Sequence, residues 1–254
     1  MMLPKVGRYK NLAEPFHCDM NMELFMGHLG NHLLNAADFH SNDRGFGIHY
    51  LQTIHKTWVL SRLVIEMDEM PKIYDEFYVE TWVESAMRYF TNRNFRIEGK
   101  DGRSIGYGRS IWAMIDTETR QPVNLMDIHD GEIKDWLETE KVNPTAKPSR
   151  VKMSDNAKLV REHVARYNDV DINGHVNSVK SIEHVLDLFP VETYRKKRLQ
   201  RFDIAYVAES HAGDTLRFYM EDGAGAGEHL VRISKVTAEG ETECVRAHLK
   251  FVGR

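Results

Sequence analysis

Residues 168–177 read Asn-Asp-Val-Asp-Ile-Asn-Gly-His-Val-Asn and set an acid, an amide and an imidazole at alternate positions, Asp171, Asn173 and His175. In an extended segment that spacing puts the three side chains on one side of the chain. A helical pattern follows at once over 176–188, with Val176, Val179, Ile182, Val185 and Leu186 as its apolar stripe. The first N–H groups of such a helix lack intrahelical partners and favour negative charge. These groups together suit the binding and polarising of a carbonyl. Histidine, with an ordinary pKa of about 6.5, moves protons near neutrality. The asparagine amide can orient a water or donate to an oxyanion, and the aspartate can fix both neighbours. Asn and Asp are equally at home in turns and helix caps, so the spacing alone fits a capped turn as well. Glu209 closes the run Phe202, Ile204, Tyr206, Ala208. Its carboxylate could act as general base for water or pair with His175, although a solvated strand end is the commoner fate of a glutamate.

The elements that must position these groups occur twice. Over 22–38, Leu24, Phe25, Leu29, Leu33 and Ala36 form a first helical stripe, and several strand-like runs follow each helix. Phe77, Val79, Thr81 and Val83 alternate in the first half. Leu216, Phe218 and Met220, then Val231 and Ile233, then Val245, Ala247, Leu249 and Phe251 do so in the second. Gly27-His28-Leu29 echoes Gly174-His175-Val176, 67–70 echoes 207–210, Asp75 echoes Asp214, and the turn at 98–102 echoes that at 238–241. The pattern predicts an α+β protein in two similar halves, each a helix with an antiparallel sheet, over 1–126 and 155–254. Residues 127–154, acidic and then carrying Pro144 and Pro148, read as a linker in which Ile128, Ile133, Trp136 and Leu137 form a short helix.

Composition narrows the function. The 254 residues are 42% hydrophobic and 28% charged, with a net charge of −4 that argues against broad nucleic-acid binding. No apolar run reaches the roughly 18 residues of a membrane span, and residues 1–10 carry no signal core, so a cytoplasmic protein is expected. Cys18 and Cys244 lack metal spacing and read as buried small hydrophobes. His28 and His32 stand four apart on a helix, but no third ligand accompanies them, and no metal or cofactor is expected. Gly102-Arg103-Ser104-Ile105-Gly106 spells a nucleophile elbow but sits in a hairpin turn entering a strand. The glycine-rich run 223–227 has no helix behind it and reads as a hairpin tip.

At its Asp-x-Asn-x-His residues the chain resembles the acyl-ACP thioesterases of plant plastids and bacteria. Their motif is Asp-x-Asn-x-His-Val-Asn-Asn, commonly followed by Val-Lys-Tyr. Asp171, Asn173, His175, Val176, Asn177, Val179 and Lys180 match it, whereas Ser178 and Ser181 depart. Residues 57–62 and 79–83 resemble two further family blocks, in the right order. The resemblance implies a tandem (double) hotdog fold and hydrolysis of fatty acyl-acyl carrier protein at one site in the C-terminal half. It also implies an acyl slot in the N-terminal half, for which Met22, Met26, Leu29, Leu33 and Trp58 are candidate walls. Plant members carry Glu-Cys where this chain has Glu209-Ser210, which favours direct attack by water, with catalysis by Asp171, Asn173, His175 and Glu209. The basic residues Arg195, Lys196, Lys197, Arg198 and Arg201 would receive the acidic carrier protein. Such a fold is compatible with a monomer or a homodimer. An acyl-CoA thioesterase, a hydratase and a non-catalytic acyl-binding module are the alternatives on the same scaffold.

Overall fold

A computed structural model describes residues 3–148 and 151–254. The chain divides into two compact units, Met1–Lys147 and Pro148–Arg254. In the first, strand β1 (Gly7–Leu12) precedes helices α1 (Met26–Asn42) and α2 (Ile48–Thr53). Strands β2 (Lys56–Met67), β3 (Glu76–Ala86), β4 (Phe90–Gly99) and β5 (Ser104–Asp116) complete it. They pair antiparallel in the order β1-β3-β4-β5-β2. The second unit repeats this plan with β6 (Lys158–Val164), α3 (Ser178–Leu186), α4 (Val191–Lys196), β7 (Lys197–Tyr206), β8 (Thr215–Asp222), β9 (Glu228–Thr237) and β10 (Gly240–Gly253). Its order is β6-β8-β9-β10-β7, again antiparallel.

Period-two alternation places the expected residues inside. Phe77 and Val79 on β3, Phe202 and Ile204 on β7, Leu216 and Phe218 on β8, and Ala247 and Leu249 on β10 are buried. Each large apolar side chain so buried contributes about 1.5–3 kcal/mol. Both units also open with a strand that hydrophobic periodicity does not mark. β1 and β6 are edge strands: β1 is largely polar, and β6 leaves Leu159, Val160 and Val164 exposed, so neither builds a buried apolar face.

Three expectations shift. The helices begin later than their stripes, at Met26 and Ser178, because the preceding residues form a tight loop in both units. The segment 127–147 does not behave as a linker. Leu125, Ile128 and Ile133 join Phe46, Leu51 and Met114 in one apolar cluster, and 3-10 turns replace the expected short helix. Asn143 donates to Gly108 and Asn94, while Arg109 donates to the carbonyls of Asn143 and Thr145, so this stretch is sewn to β4 and β5. Ser149 and Arg150, within the expected linker, lie outside the described residues. Cys244 is buried, but Cys18 is only half-buried.

The last turn of α1 carries a buried histidine. His40 is 1% exposed, its Nε2 lies 3.0 Å from the carbonyl of Lys5, and burial with the nearby Arg93 and Arg44 charges pushes its pKa down to about 3. The folded chain therefore keeps His40 neutral where the unfolded chain takes up a proton. Between pH 6.5 and about 3 this one group makes stability fall on acidification by about 1.4 kcal/mol per pH unit. Urea unfolding of wild type and His40→Gln at pH 7 and pH 5 checks it. Equal losses in the two proteins would remove His40 as the cause.

Candidate active site

The Asp171 motif folds as a closed loop. Asp171 Oδ1 accepts the backbone N–H of Asn173 at 2.8 Å and of His175 at 3.3 Å. The Asp171 amide donates to the His175 carbonyl, and Gly174, at φ +78°, donates to Asp171. A bridge between Val170 and Val176 seals the base. Asp171 thus orients Asn173 and His175 through their backbone amides. Asn173 is exposed at the tip, and His175 is half-buried.

The helix behind the loop starts at Ser178, and several of its leading N–H groups are already engaged. Asn177 Oδ1 caps Val179 N, Val176 N donates to the Ser210 carbonyl, and Asn177 N donates to the Asp169 carbonyl. The amides of Val176 and Asn177 are therefore unavailable to an oxyanion, and the Asn173 amide group is the better donor.

His175 meets Glu209 across the unit. Its Nε2 lies 3.5 Å from Glu209 Oε2, and a bridge pairs His175 with His211, whose ring stands edge-on 5.0 Å away. Lys235 Nζ anchors the Glu209 carbonyl at 2.8 Å. Sequence reading missed His211, whose strand-side neighbour 36 positions away becomes visible only through pairing (175 to 211). His175, Glu209 and His211 present ligand atoms within 4.8 Å of one another. An imidazole facing a carboxylate on a half-buried surface, beside an exposed amide, can activate water against a bound carbonyl.

The N-terminal unit holds a twin of this loop. Asp19 Oδ1 accepts the N–H of Asn21 at 2.8 Å and of Glu23 at 3.2 Å, and Met22 takes φ +60° where Gly174 sits in the other copy. Leu24 donates to the Pro71 carbonyl as Val176 does to Ser210. The true counterpart of Gly174-His175 is Met22-Glu23, not Gly27-His28, and that of Glu209 is Met70. Asp19 and Asp171 each precede their helix by the same interval (19 to 26, 171 to 178). Asp75 and Asp214 match as expected, each accepting the amide three residues before it. Only the C-terminal copy carries the histidine and glutamate.

Two family signatures divide the chain at the same place: the acyl-ACP thioesterase N-terminal domain over residues 12–130 and the acyl-ACP thioesterase C-terminal domain over residues 152–252. The chain belongs to the acyl-ACP thioesterase family. An acyl-ACP thioesterase from Bacteroides thetaiotaomicron is 50% identical, superposes with a TM-score of 0.90, and each chain covers 98% of the other. The 12:0-ACP thioesterase of Umbellularia californica shares the fold at a TM-score of 0.87 and 20% identity over the full length of both chains. The dodecanoyl-[acyl-carrier-protein] hydrolase of Cinnamomum camphora is 26% identical over 87% of this chain, which spans 61% of that relative's own length. The two units are the paired hotdogs of this fold family.

Other family-derived expectations meet the structure unevenly. Ser210, at the plant cysteine position, is buried and lends its carbonyl to Val176. A cavity in the N-terminal unit sits at the C-terminal end of α1, where Phe46, Trp58, Trp112 and Trp136 share the wall with Asp38, His40, Arg44 and Arg93. Trp58 belongs to that wall. Met26, Leu29 and Leu33 are instead core residues further up α1, and Met22, 61% exposed, lies in the loop before the helix. Among the basic residues, Arg195, Lys196 and Lys197 are exposed, with Arg195 paired to Glu192, and Arg198 is half-buried. Arg201 leaves the patch: its guanidinium forks onto Asp203 at 2.7 and 2.9 Å. His28 stacks on His17 at 4.0 Å, and His32 stands edge-on to Phe77. The 102–106 run is a turn leading into β5 at Ser104, and 223–227 joins β8 to β9 as a hairpin tip. No helix among the described residues is long and apolar enough to cross a membrane.

Proposed function

We propose that the protein hydrolyses the thioester of fatty acyl-acyl carrier protein and releases free fatty acid. The observation that carries this reading is the approach of His175 to Glu209 at 3.5 Å beside the loop fixed by Asp171. Water adds its oxygen to the thioester carbon while its proton passes to Glu209, assisted by His175. Asn173 donates to the oxyanion. The C–S bond then breaks, and the proton returns to the departing sulfur. A thiol is a good leaving group, so a sparse acid–base site suffices. The candidate acyl slot is the cavity of the N-terminal unit, whose aromatic wall of Phe46, Trp58, Trp112 and Trp136 also carries Arg44 and Arg93, and the basic residues Arg195, Lys196, Lys197 and Arg198 are the candidate contact for the acidic carrier.

Thiol release from carrier-protein and CoA thioesters across a range of chain lengths tests this. Faster release from carrier-protein thioesters is expected. Faster release from CoA thioesters would reassign the acyl donor, and binding of every thioester with no release would sink hydrolysis altogether.

A further inference from the structure

The catalytic loop stands on a buried cluster that the chemistry above does not use. Asp169, two residues before Asp171, ends a 3-10 turn (Tyr167–Asp169). Its carboxylate accepts His184 Nε2 at 2.8 Å, His163 Nε2 at 2.9 Å and the Arg166 amide at 2.7 Å, while its carbonyl accepts the amide of Asn177, the cap of α3. One side chain thus joins β6, α3 and the root of the loop. Burial alone would push the Asp169 carboxyl up, but these donors hold it down at about 2, so the carboxylate is an acceptor and each facing imidazole nitrogen a donor. For neutral His184 this leaves Nδ1 bare, and that atom is buried without a partner. A bonding arrangement that accepts such a cost holds His184 in one ring orientation.

The twin loop shows that the cluster is not needed to fold the motif. There His17 occupies the place of Asp169 and His32 that of His184. Phe25 still donates to the His17 carbonyl at 2.9 Å, and the loop closes through the same bonds, while His17 stacks on His28. In the twin, His17 pairs within its own turn, its Nδ1 2.8 Å from Glu14 Oε2; the carboxylate that joins an edge strand, a helix and the loop root is Asp169, in the copy that carries His175. α3, at nine residues, is also much shorter than the 17-residue α1 and has fewer buried side chains to seat it.

The geometry points to Asp169 and His184 as positioning residues that hold the root of the catalytic loop against α3, so that His175 faces Glu209 in register with the bound thioester. This rests on the hydrolytic reading above. A small misplacement of a reacting group costs rate rather than affinity. His184→Phe is therefore expected to lower kcat about tenfold or more with KM within about twofold, and His184→Gln, which keeps an N–H donor, to recover most of the loss. Asp169→Asn, nearly isosteric, gives a second variant should the phenylalanine not fold. Hydrogen exchange at the Asn177 amide reads the clamp without activity and should quicken in His184→Phe and Asp169→Asn but not in His184→Gln. An unchanged kcat in the folded variants, equal losses in the Phe and Gln proteins, or an unchanged Asn177 exchange rate would overturn the proposal. Wild-type enzyme that releases no thiol would instead overturn the hydrolytic reading, and the exchange measurement would still judge the clamp.

Discussion

Glu209→Ala is expected to lower kcat for acyl thioester hydrolysis by about 10²–10⁴-fold, the range typical of a lost general base, while leaving thermal unfolding nearly unchanged. The asymmetry follows from where Glu209 sits. Its side chain is 35% exposed and is not one of the buried residues of the unit. Substitutions at such positions usually move stability by about 0.5 kcal/mol or less. Its backbone is held independently by Lys235, so truncating the side chain leaves the segment in place. What is lost is the carboxylate opposite His175. Glu209→Gln sharpens the result, because the amide keeps the shape and can still orient water but takes up no proton. If Glu209 is the base, Gln and Ala are equally impaired. If it only orients water, Gln retains most of the rate. A Glu209→Ala enzyme with full single-turnover activity would remove Glu209 from the mechanism.

How much of this was legible in the sequence depends on how each feature is encoded. The buried strands write themselves as alternation, since one face of each must be apolar. β1 and β6 escape because an edge strand need not alternate: Leu159 and Val160 on β6 are adjacent and both exposed. The Asp-x-Asn-x-His motif is visible because its chemistry resides in residue types. Its twin is disguised, because what the loop requires at the fourth position is a positive φ, not a glycine. Gly174 advertises that requirement, whereas Met22 meets it at φ +60° with an unsuspected side chain. Gly27-His28 therefore shares the letters of Gly174-His175 but not its place in the loop. The acidic and proline-bearing stretch after residue 126 resembles a linker in composition. Ile128 and Ile133 nevertheless bury, and Asn143 finds partners on β4 and β5. The Asp169–His184 bond leaves no local trace at all: the residues are 15 positions apart and meet only when α3 folds back over the turn.

The two loops allow structure and chemistry to be separated within one chain, and the paired substitutions Asp171→Ala and Asp19→Ala do so. Each carboxylate uses one oxygen to accept two backbone N–H groups of its loop, at 2.8 and 3.3 Å for Asp171 and at 2.8 and 3.2 Å for Asp19. Hydrogen bonds to a charged group contribute about 1.5–3 kcal/mol, and both loops are exposed enough for water to replace part of that. Asp19 Oδ2 also accepts the Asn21 side-chain amide at 3.0 Å, so Asp19→Ala is expected to lose at least as much stability as Asp171→Ala. Activity should divide them. Without Asp171 the amides of Asn173 and His175 lose their common anchor, and the two groups that the proposed reaction sets against the thioester no longer hold one geometry. A loss of about 100-fold in kcat is the expected scale for misplacement of this kind. Without Asp19 the released residues are Asn21 and Glu23, in a copy where Met70 stands in place of Glu209 and Glu23 in place of His175. Activity per folded molecule should stay within about twofold of wild type, since no transition-state contact is removed. Chemical denaturation and steady-state kinetics on the same preparations give both numbers. If Asp19→Ala lost as much kcat as Asp171→Ala, the N-terminal loop would have to share in the reaction, and the assignment of chemistry to one copy would fail.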